Sequence, residues 1–267
     1  MLLVKQQCLI GINWKELIME GISPVVPAVP AVSLPQCWQD FNDVINAGVD
    51  RVILYGAPGT GKTYGGLTLG VGDGGSFRLI CTEDMTTAQV SGAFMPDADG
   101  FKFMEGSALR AWKGNGQVGG RLVVDEVDKA SGDVFGELLN FLDSTDSSSF
   151  AHPETNEVFT PLSGFSAVMT SNIEHPDDLP MALRDRFPVA IEINAPHPMA
   201  LASLPVELRK VANAVISAEP ERRVSLREFY AYNTLLKSMP MERASVMAFG
   251  AQKAEAIIDA IRVGSLS

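Results

Sequence analysis

The strand-like run Val52–Tyr55 leads directly into Gly56-Ala57-Pro58-Gly59-Thr60-Gly61-Lys62-Thr63, the spacing GxxxxGK[ST]. Glycines at these positions let successive backbone N–H groups turn inward as a nest for an anion. The helix that follows points its positive end at the same place. Such a loop needs a strand leading in, a helix leading out and a sheet to hold both. Gly56 to Gly61 would then cradle phosphates. Lys62 would reach the β and γ phosphates of a nucleotide, and the Thr63 hydroxyl would bind Mg²⁺. Gly65, Gly66 and Gly70 follow closely and are poor helix formers, so the outgoing helix is expected to be short or closely packed.

The rest of the chain supplies the sheet. Val52–Tyr55, Phe77–Cys81, Leu122–Val124, Ala167–Thr170 and Val189–Ile193 are β-rich runs bounded by turn residues, with helical stretches between them, the clearest being Asp133–Leu142. That alternation predicts an α/β fold with a parallel sheet. Gln36–Ala47 reads as an amphipathic helix, with Trp38, Phe41, Val44 and Ile45 on one face and Gly48 as its stop. After Pro196-His-Pro198, the expected hinge, only helices are predicted: Leu204–Ser217, Leu226–Met239 and Glu242–Arg262. The expected organisation is an N-terminal extension over 1–35, an α/β domain over 36–196 and a small all-helical domain over 197–267. Within the extension a short helix is expected around Asn13–Glu20. The run from Ser23 to Pro35, with four prolines, should be extended. It reads as a tether, or as an arm lying in a groove of a neighbouring subunit.

The formal charge is −11, and it is unevenly placed: residues 1–199 carry −13 and residues 200–267 carry +2. Phosphate neutralisation by clustered Lys and Arg drives nucleic-acid binding, so nucleic acid is not the expected partner. An anionic membrane surface is disfavoured for the same reason. No stretch approaches the roughly 20 apolar residues of a membrane helix, and the apolar N-terminus is broken by Lys5, Gln6 and Gln7. Cys8, Cys37 and Cys81 are scattered and odd in number, which predicts no disulfide framework and no zinc site, and a cytoplasmic setting. The three histidines lie beside or near prolines in turn-like sequence, are expected at the surface and receive no role.

Leu122-Val-Val-Asp125-Glu126 is a buried strand ending in two acids. At the carboxyl edge of a parallel sheet, where ligands gather, Asp125 would hold Mg²⁺ directly or through water. Glu126 would orient and deprotonate a water attacking the γ phosphate.

Taken in order, Gly56–Thr63, Val123–Glu126, Thr170-Ser171-Asn172 and Leu183-Arg184-Asp185-Arg186-Phe187 resemble the AAA+ ATPases, a family of P-loop NTPases. More narrowly they are similar to its MoxR-type and dynein-related branch. Two features carry that narrower likeness. Ser91–Pro96 with Asp99–Gly106 looks like the branch's β-hairpin insert, and Asp125-Glu-Val-Asp-Lys-Ala130 is similar to its Asp-Glu-Ile-Asn-Arg-Ala. The likeness covers about residues 36–262 and implies an AAA+ core followed by a helical lid. It implies that Asn172 is sensor 1, steadying the attacking water. Arg186 falls where the family has its arginine finger, which completes the neighbouring subunit's site, with Arg184 able to share that task. Arg227 corresponds to sensor 2 on the lid. Ser225-x-x-Glu228 is itself a capping box that puts Arg227 in a helix's first turn, where a cation wants an anionic partner. Two positions depart from the family pattern: Pro180-Met181 stands for Pro-Glu, and Leu226 for the proline before Arg227.

The resemblance also implies ATP as nucleotide, although the loop itself reads phosphates and not the base, so GTP stays open. It implies a homo-oligomeric ring, usually a hexamer, that remodels a protein client, often with a von Willebrand factor A-domain partner. The insert Phe94–Met104 would face one surface or the central channel. The negative α/β part and positive lid would then meet across subunits in a salt-sensitive contact. Two other readings remain: a nucleotide-dependent scaffold or switch with little turnover, and a nucleic-acid motor or loader.

Overall fold

A computed structural model describes residues 34–98, 100–130, 132–216 and 223–264. The helix expected around Asn13–Glu20 and the extended run from Ser23 to Ser33 lie outside them. α1 (Gln36–Asn46) buries Cys37, Trp38 and Phe41. It ends at Gly48, whose φ of +83° takes the left-handed turn that glycine accommodates. β1 (Arg51–Tyr55) feeds the glycine loop and α2 (Lys62–Thr68), and β2 (Ser76–Ile80) follows. Next come α3 (Thr87–Val90), a hairpin of β3 (Gly92–Asp97) and β4 (Gly100–Glu105), α4 (Ser107–Lys113) and β5 (Arg121–Asp125). After a 3₁₀ turn at Val127–Lys129 come α5 (Gly132–Phe141), the short strands β6 (Phe150–Ala151) and β7 (Val158–Phe159), and β8 (Ser166–Thr170). α6 (Met181–Arg186) and β9 (Val189–Glu192) complete this part.

The five strands expected from sequence form one parallel sheet in the order β2-β5-β8-β1-β9, each within one residue of its expected ends. Its central strands are buried on both faces, which is why they read as continuous apolar runs. One face carries Trp38 and Phe41 of α1 against Val52, Leu54 and Val168. The other packs Trp112, Leu138, Phe141 and Phe165 against Ile53, Leu122 and Val124. The expected α/β fold with a parallel P-loop-type sheet is what the chain adopts.

Two devices hold the helices down. A Cβ on Gly65 would lie 2.4 Å from a ring carbon of Trp38, and one on Gly66 would lie 3.2 Å from a methyl of Val168. The glycines of the seven-residue α2 are therefore there to let it settle on α1 and the sheet. At the opposite edge, Arg121 donates to the carbonyls of Gly66, Leu69 and Gly70, and Arg51 to those of Leu142 and Asp143. Burial pulls both guanidinium pKa values down. A cation among the last carbonyls of a helix satisfies orphan acceptors and opposes the dipole.

Residues 198–264 contain helices and no strand among those described: α7 (Pro198–Ala202), α8 (Val206–Ile216), α9 (Leu226–Leu235), α10 (Met241–Phe249) and α11 (Ala251–Gly264). They share their own core of Leu208, Val211, Phe229, Tyr232, Phe249 and Ile257. The single helix expected over Glu242–Arg262 is two, because Gly250 at φ +76° breaks it. The expected hinge at Pro196–Pro198 begins α7, and His197, expected at the surface, is buried. It caps α7 by accepting from Met199 N–H at 3.2 Å and stands edge-on to Trp38. The β6–β7 hairpin was not expected. Phe103 packs against its Phe150 and His152, so of the insert's aromatics Phe103 goes inward while Phe94 and Phe101 stay exposed.

Gly65→Ala tests the close approach. Alanine improves helix propensity by about 1 kcal/mol. Trp38 is fully buried and has no room to yield, so the net effect is expected to be destabilisation by roughly 1–3 kcal/mol in urea unfolding.

Candidate functional site

The loop between β1 and α2 turns at Gly56, Gly59 and Gly61 with φ of +111°, +78° and +99°. A Cβ on Gly61 would meet only open space, so nothing of the described chain packs against the loop on that side. Thr60 is buried, and its hydroxyl donates to Ala57 O at 3.1 Å, bracing the turn around exposed Pro58. The Lys62 ammonium folds back under the loop. It donates to Gly56 O at 2.8 Å, to Ala57 O at 2.7 Å and to the Asn172 side-chain oxygen at 3.1 Å. Burial lowers its pKa to about 8. Asp125 pulls the other way, while Arg227 and Arg223 add to the fall.

Asp125, at the end of β5, is the meeting point. Its Oδ1 accepts from the Thr63 hydroxyl at 2.7 Å and from the Thr170 hydroxyl, and its Oδ2 accepts from Arg78 through Nε and a terminal nitrogen. Burial alone would raise this carboxyl's pKa. The bonds from Thr170, Arg78 and Thr63 outweigh it and hold the group ionised. Glu126 follows at φ +57°, a left-handed conformation that a non-glycine residue rarely adopts. Its carboxylate takes Lys129 at 2.6 Å. Thr170 braces the strand end, and Ser171 donates to Asp128 at 2.5 Å. Behind them Cys81 is wholly buried, and burial together with the three acids pushes its thiol up to about 12, so it is inert.

The C-terminal helices reach this edge. A Cβ on Gly59 would lie 2.4 Å from Ser225 Cβ, so the loop and the start of α9 are in contact. The expected capping box is present, with Ser225 N–H donating to Glu228 at 2.7 Å and Glu228 N–H to Ser225. Arg227 is exposed in the first turn of α9. The candidate finger arginines lie elsewhere, on α6: Arg186 donates to Ala182 O at 3.0 Å and to Asp143 at 2.8 Å, and Arg184 pairs with Asp177. The structure therefore brings together Gly56–Thr63, Asp125, Glu126 and Asn172, places Arg227 beside them and keeps Arg184 and Arg186 apart.

These residues fit a nucleotide with Mg²⁺. The glycine loop is followed by the start of α2 and holds one ammonium beneath it, and Thr63 with Asp125 offers two hard oxygens 2.7 Å apart. Among the described residues no cluster of three or more His, Cys, Asp or Glu side chains could hold a metal alone, so phosphate oxygens would complete the coordination. Sequence reasoning missed Arg78, Thr170 and Arg223. Thr170 was visible as part of a polar strand end. Arg78 sits mid-strand, and nothing in its neighbours marks it.

The Lys62 pKa gives a stability test. The folded value of about 8 lies below the unfolded value of 10.5, so between them the unfolded chain holds the extra proton. Relative to Lys62→Met, wild-type stability is expected to rise as pH climbs from about 8 to about 10.5, by on the order of 2–3 kcal/mol. Urea unfolding of both proteins across that range measures it.

Residues 51–187, about half of the chain, match the family model described as AAA domain (dynein-related subfamily). No curated protein matches the sequence. Among solved structures, a candidate ATPase from Cytophaga hutchinsonii ATCC 33406 aligns at 18% identity and a TM-score of 0.41, over 60% of this chain and 46% of that one. Among the described residues no helix is long and apolar enough to cross a membrane. The glycine loop, the paired acids and the polar strand end all fall inside the matched span, and the chain belongs to the dynein-related subfamily of AAA domains.

Proposed function

We propose that this chain hydrolyses ATP in an oligomeric ring and uses the cycle to remodel or chaperone a protein client, in the manner of MoxR-type members. The observation that carries the reading is the convergence of Lys62, Thr63, Asp125 and Asn172 through hydrogen bonds of 2.7 Å and 3.1 Å at one sheet edge, with Glu126 adjoining. Residues 36–196 would form the nucleotide-binding domain, 197–267 its lid and 1–35 an extension. A cytoplasmic setting fits the scattered cysteines.

In this mechanism Lys62 exchanges its loop carbonyls for the β and γ phosphates. Thr63 and Asp125 would hold Mg²⁺, which would supply neutralisation of the charge on the phosphate oxygens. Glu126 leaves Lys129 and takes a proton from a water as that oxygen bonds to the γ phosphorus. The bond from phosphorus to the bridging oxygen then breaks, releasing ADP and phosphate. Asn172 steadies the water and Arg227 reaches the γ phosphate from the lid. Arg186 leaves Asp143 to serve the neighbouring subunit, with Arg184 as the alternative finger. A hexamer, a von Willebrand factor A-domain partner and contact through the insert remain parts of the proposal. The exposure of Phe94, Phe101 and Met104 supports a protein client, and the −13 over residues 1–199 speaks against nucleic acid.

The ion pair between Glu126 and Lys129 favours one second reading, a nucleotide-dependent scaffold with little turnover. Steady-state phosphate release separates the two. Glu126→Gln is expected to lower turnover by about 10² to 10⁴ while nucleotide affinity changes little. Arg186→Ala is expected to lower it by about 10³ or more. Mixed Glu126→Gln and Arg186→Ala subunits should regain part of the activity. No turnover in the wild type would establish the scaffold, and no rescue in mixtures would exclude action between subunits.

A further inference from the structure

Arg78 has no part in the mechanism above, yet it makes the closest charged contact to the carboxylate meant for Mg²⁺. It stands on β2, an edge strand of the sheet, with its side chain 43% exposed, whereas the Asp125 side chain is 8% exposed. Its fork takes only Oδ2, at 3.1 Å through Nε and again through a terminal nitrogen. Oδ1 is left to Thr63 and Thr170. The two oxygens are thus divided, one facing the loop hydroxyl and the other bound to a cation.

Such a fork orients the carboxylate and also cancels its charge, and the two effects act oppositely on a metal at Oδ1. Orientation would help it. Two hydroxyls already fix Oδ1, however, so the fork adds little there. Charge opposes it at close range, where an interaction through a half-buried site stays strong. Of the other acids, Glu126 is paired with Lys129, while Asp128 keeps its charge and accepts only a neutral hydroxyl from Ser171. Lys62 adds a further positive charge at the same edge.

We infer that Arg78 is a charge-balancing residue that keeps Asp125 from holding a divalent cation until the phosphates of a nucleotide add their own negative charge. The inference rests on the nucleotide-binding reading. Metal and nucleotide then enter together, and the empty site stays metal-free despite its acids. A solvent-facing position on an edge strand suits this, since the guanidinium can shift outward toward the groove between β2, α3 and the β3–β4 hairpin as the metal draws on Asp125.

The test uses the full chain and Mn²⁺, followed by the electron paramagnetic resonance of the free ion, without nucleotide. Arg78→Gln and Arg78→Met, which remove the charge, are expected to bind Mn²⁺ roughly tenfold more tightly than the wild type. Arg78→Lys, which keeps the charge and loses the fork, should stay near wild type. Adding Asp125→Asn to Arg78→Gln should abolish the gain. Equal or weaker Mn²⁺ binding by Arg78→Gln and Arg78→Met would overturn the inference, because orientation would then outweigh charge. A fluorescent ATP analogue titrated in excess EDTA separates the layers. Wild-type binding unaffected by Arg78→Gln is expected, and a matching loss in the variant would make Arg78 a phosphate contact and overturn the inference. No binding by the wild type when the same analogue is titrated with Mg²⁺ present would instead refute the nucleotide reading and leave the Mn²⁺ comparison standing.

Discussion

Asp125 accepts hydrogen bonds from Thr63, Thr170 and Arg78, three side chains that the chain delivers from widely separated segments, and the register of the parallel sheet is what lets one carboxylate collect them all. Leu54 lies level with Thr170, and Val124 with Met169, so β1, β5 and β8 end within one residue of the same height. The loop after β1, the acids after β5 and the amide after β8 then share one edge. A slip of one residue in any pairing would turn Asp125 or Thr170 to the opposite face and break the contact. The glycine loop depends on the same alignment. Lys62 reaches Asn172 only because β8 lies beside β1.

Much of this was legible in the sequence, for a reason particular residues make clear. The loop, Asp125-Glu126 and Thr170-Ser171-Asn172 each combine an apolar strand with polar residues at its end, and strand polarity fixes which end faces the ligand. What stayed hidden depends on side chains meeting across the sheet. Arg78 looks like any polar residue on an edge strand until β5 is placed next to β2. Gly65 marks α2 as short or closely packed, but only the fold shows that Trp38 is what it packs against. His197 reads as a loop residue until its ring is seen between α7 and Trp38. Gly250 offered a clear signal for a helix break, and the periodicity of the surrounding residues masked it.

Contact between the C-terminal helices and the loop adds a second constraint. Gly59 has no Cβ where Ser225 sits, and Ser225 is also the cap of α9. The residue that caps α9 therefore touches the loop that would hold the phosphates. The loop and α9 meet close to the backbone, at Gly59 and the Cα and Cβ of Ser225, with no flexible side chain between them. The capping box fixes the start of α9 and so the position of Arg227, whose charge is felt at Lys62.

The two edges of the sheet divide the charged work between them. At the lower edge Arg51 and Arg121 open β1 and β5, buried, with their guanidinium groups on the terminal carbonyls of α5 and α2. At the upper edge β5 ends in Asp125. Because the helices run antiparallel to the strands, their negative ends point down and meet fixed cations there. The dipole of α2 is thereby answered at its far end. Its N-terminal amides and Lys62 remain the positive features of the upper edge, next to acids that Arg78 and Lys129 already balance. A polyanion entering at the loop would thus meet the positive end of α2 and a partly desolvated ammonium.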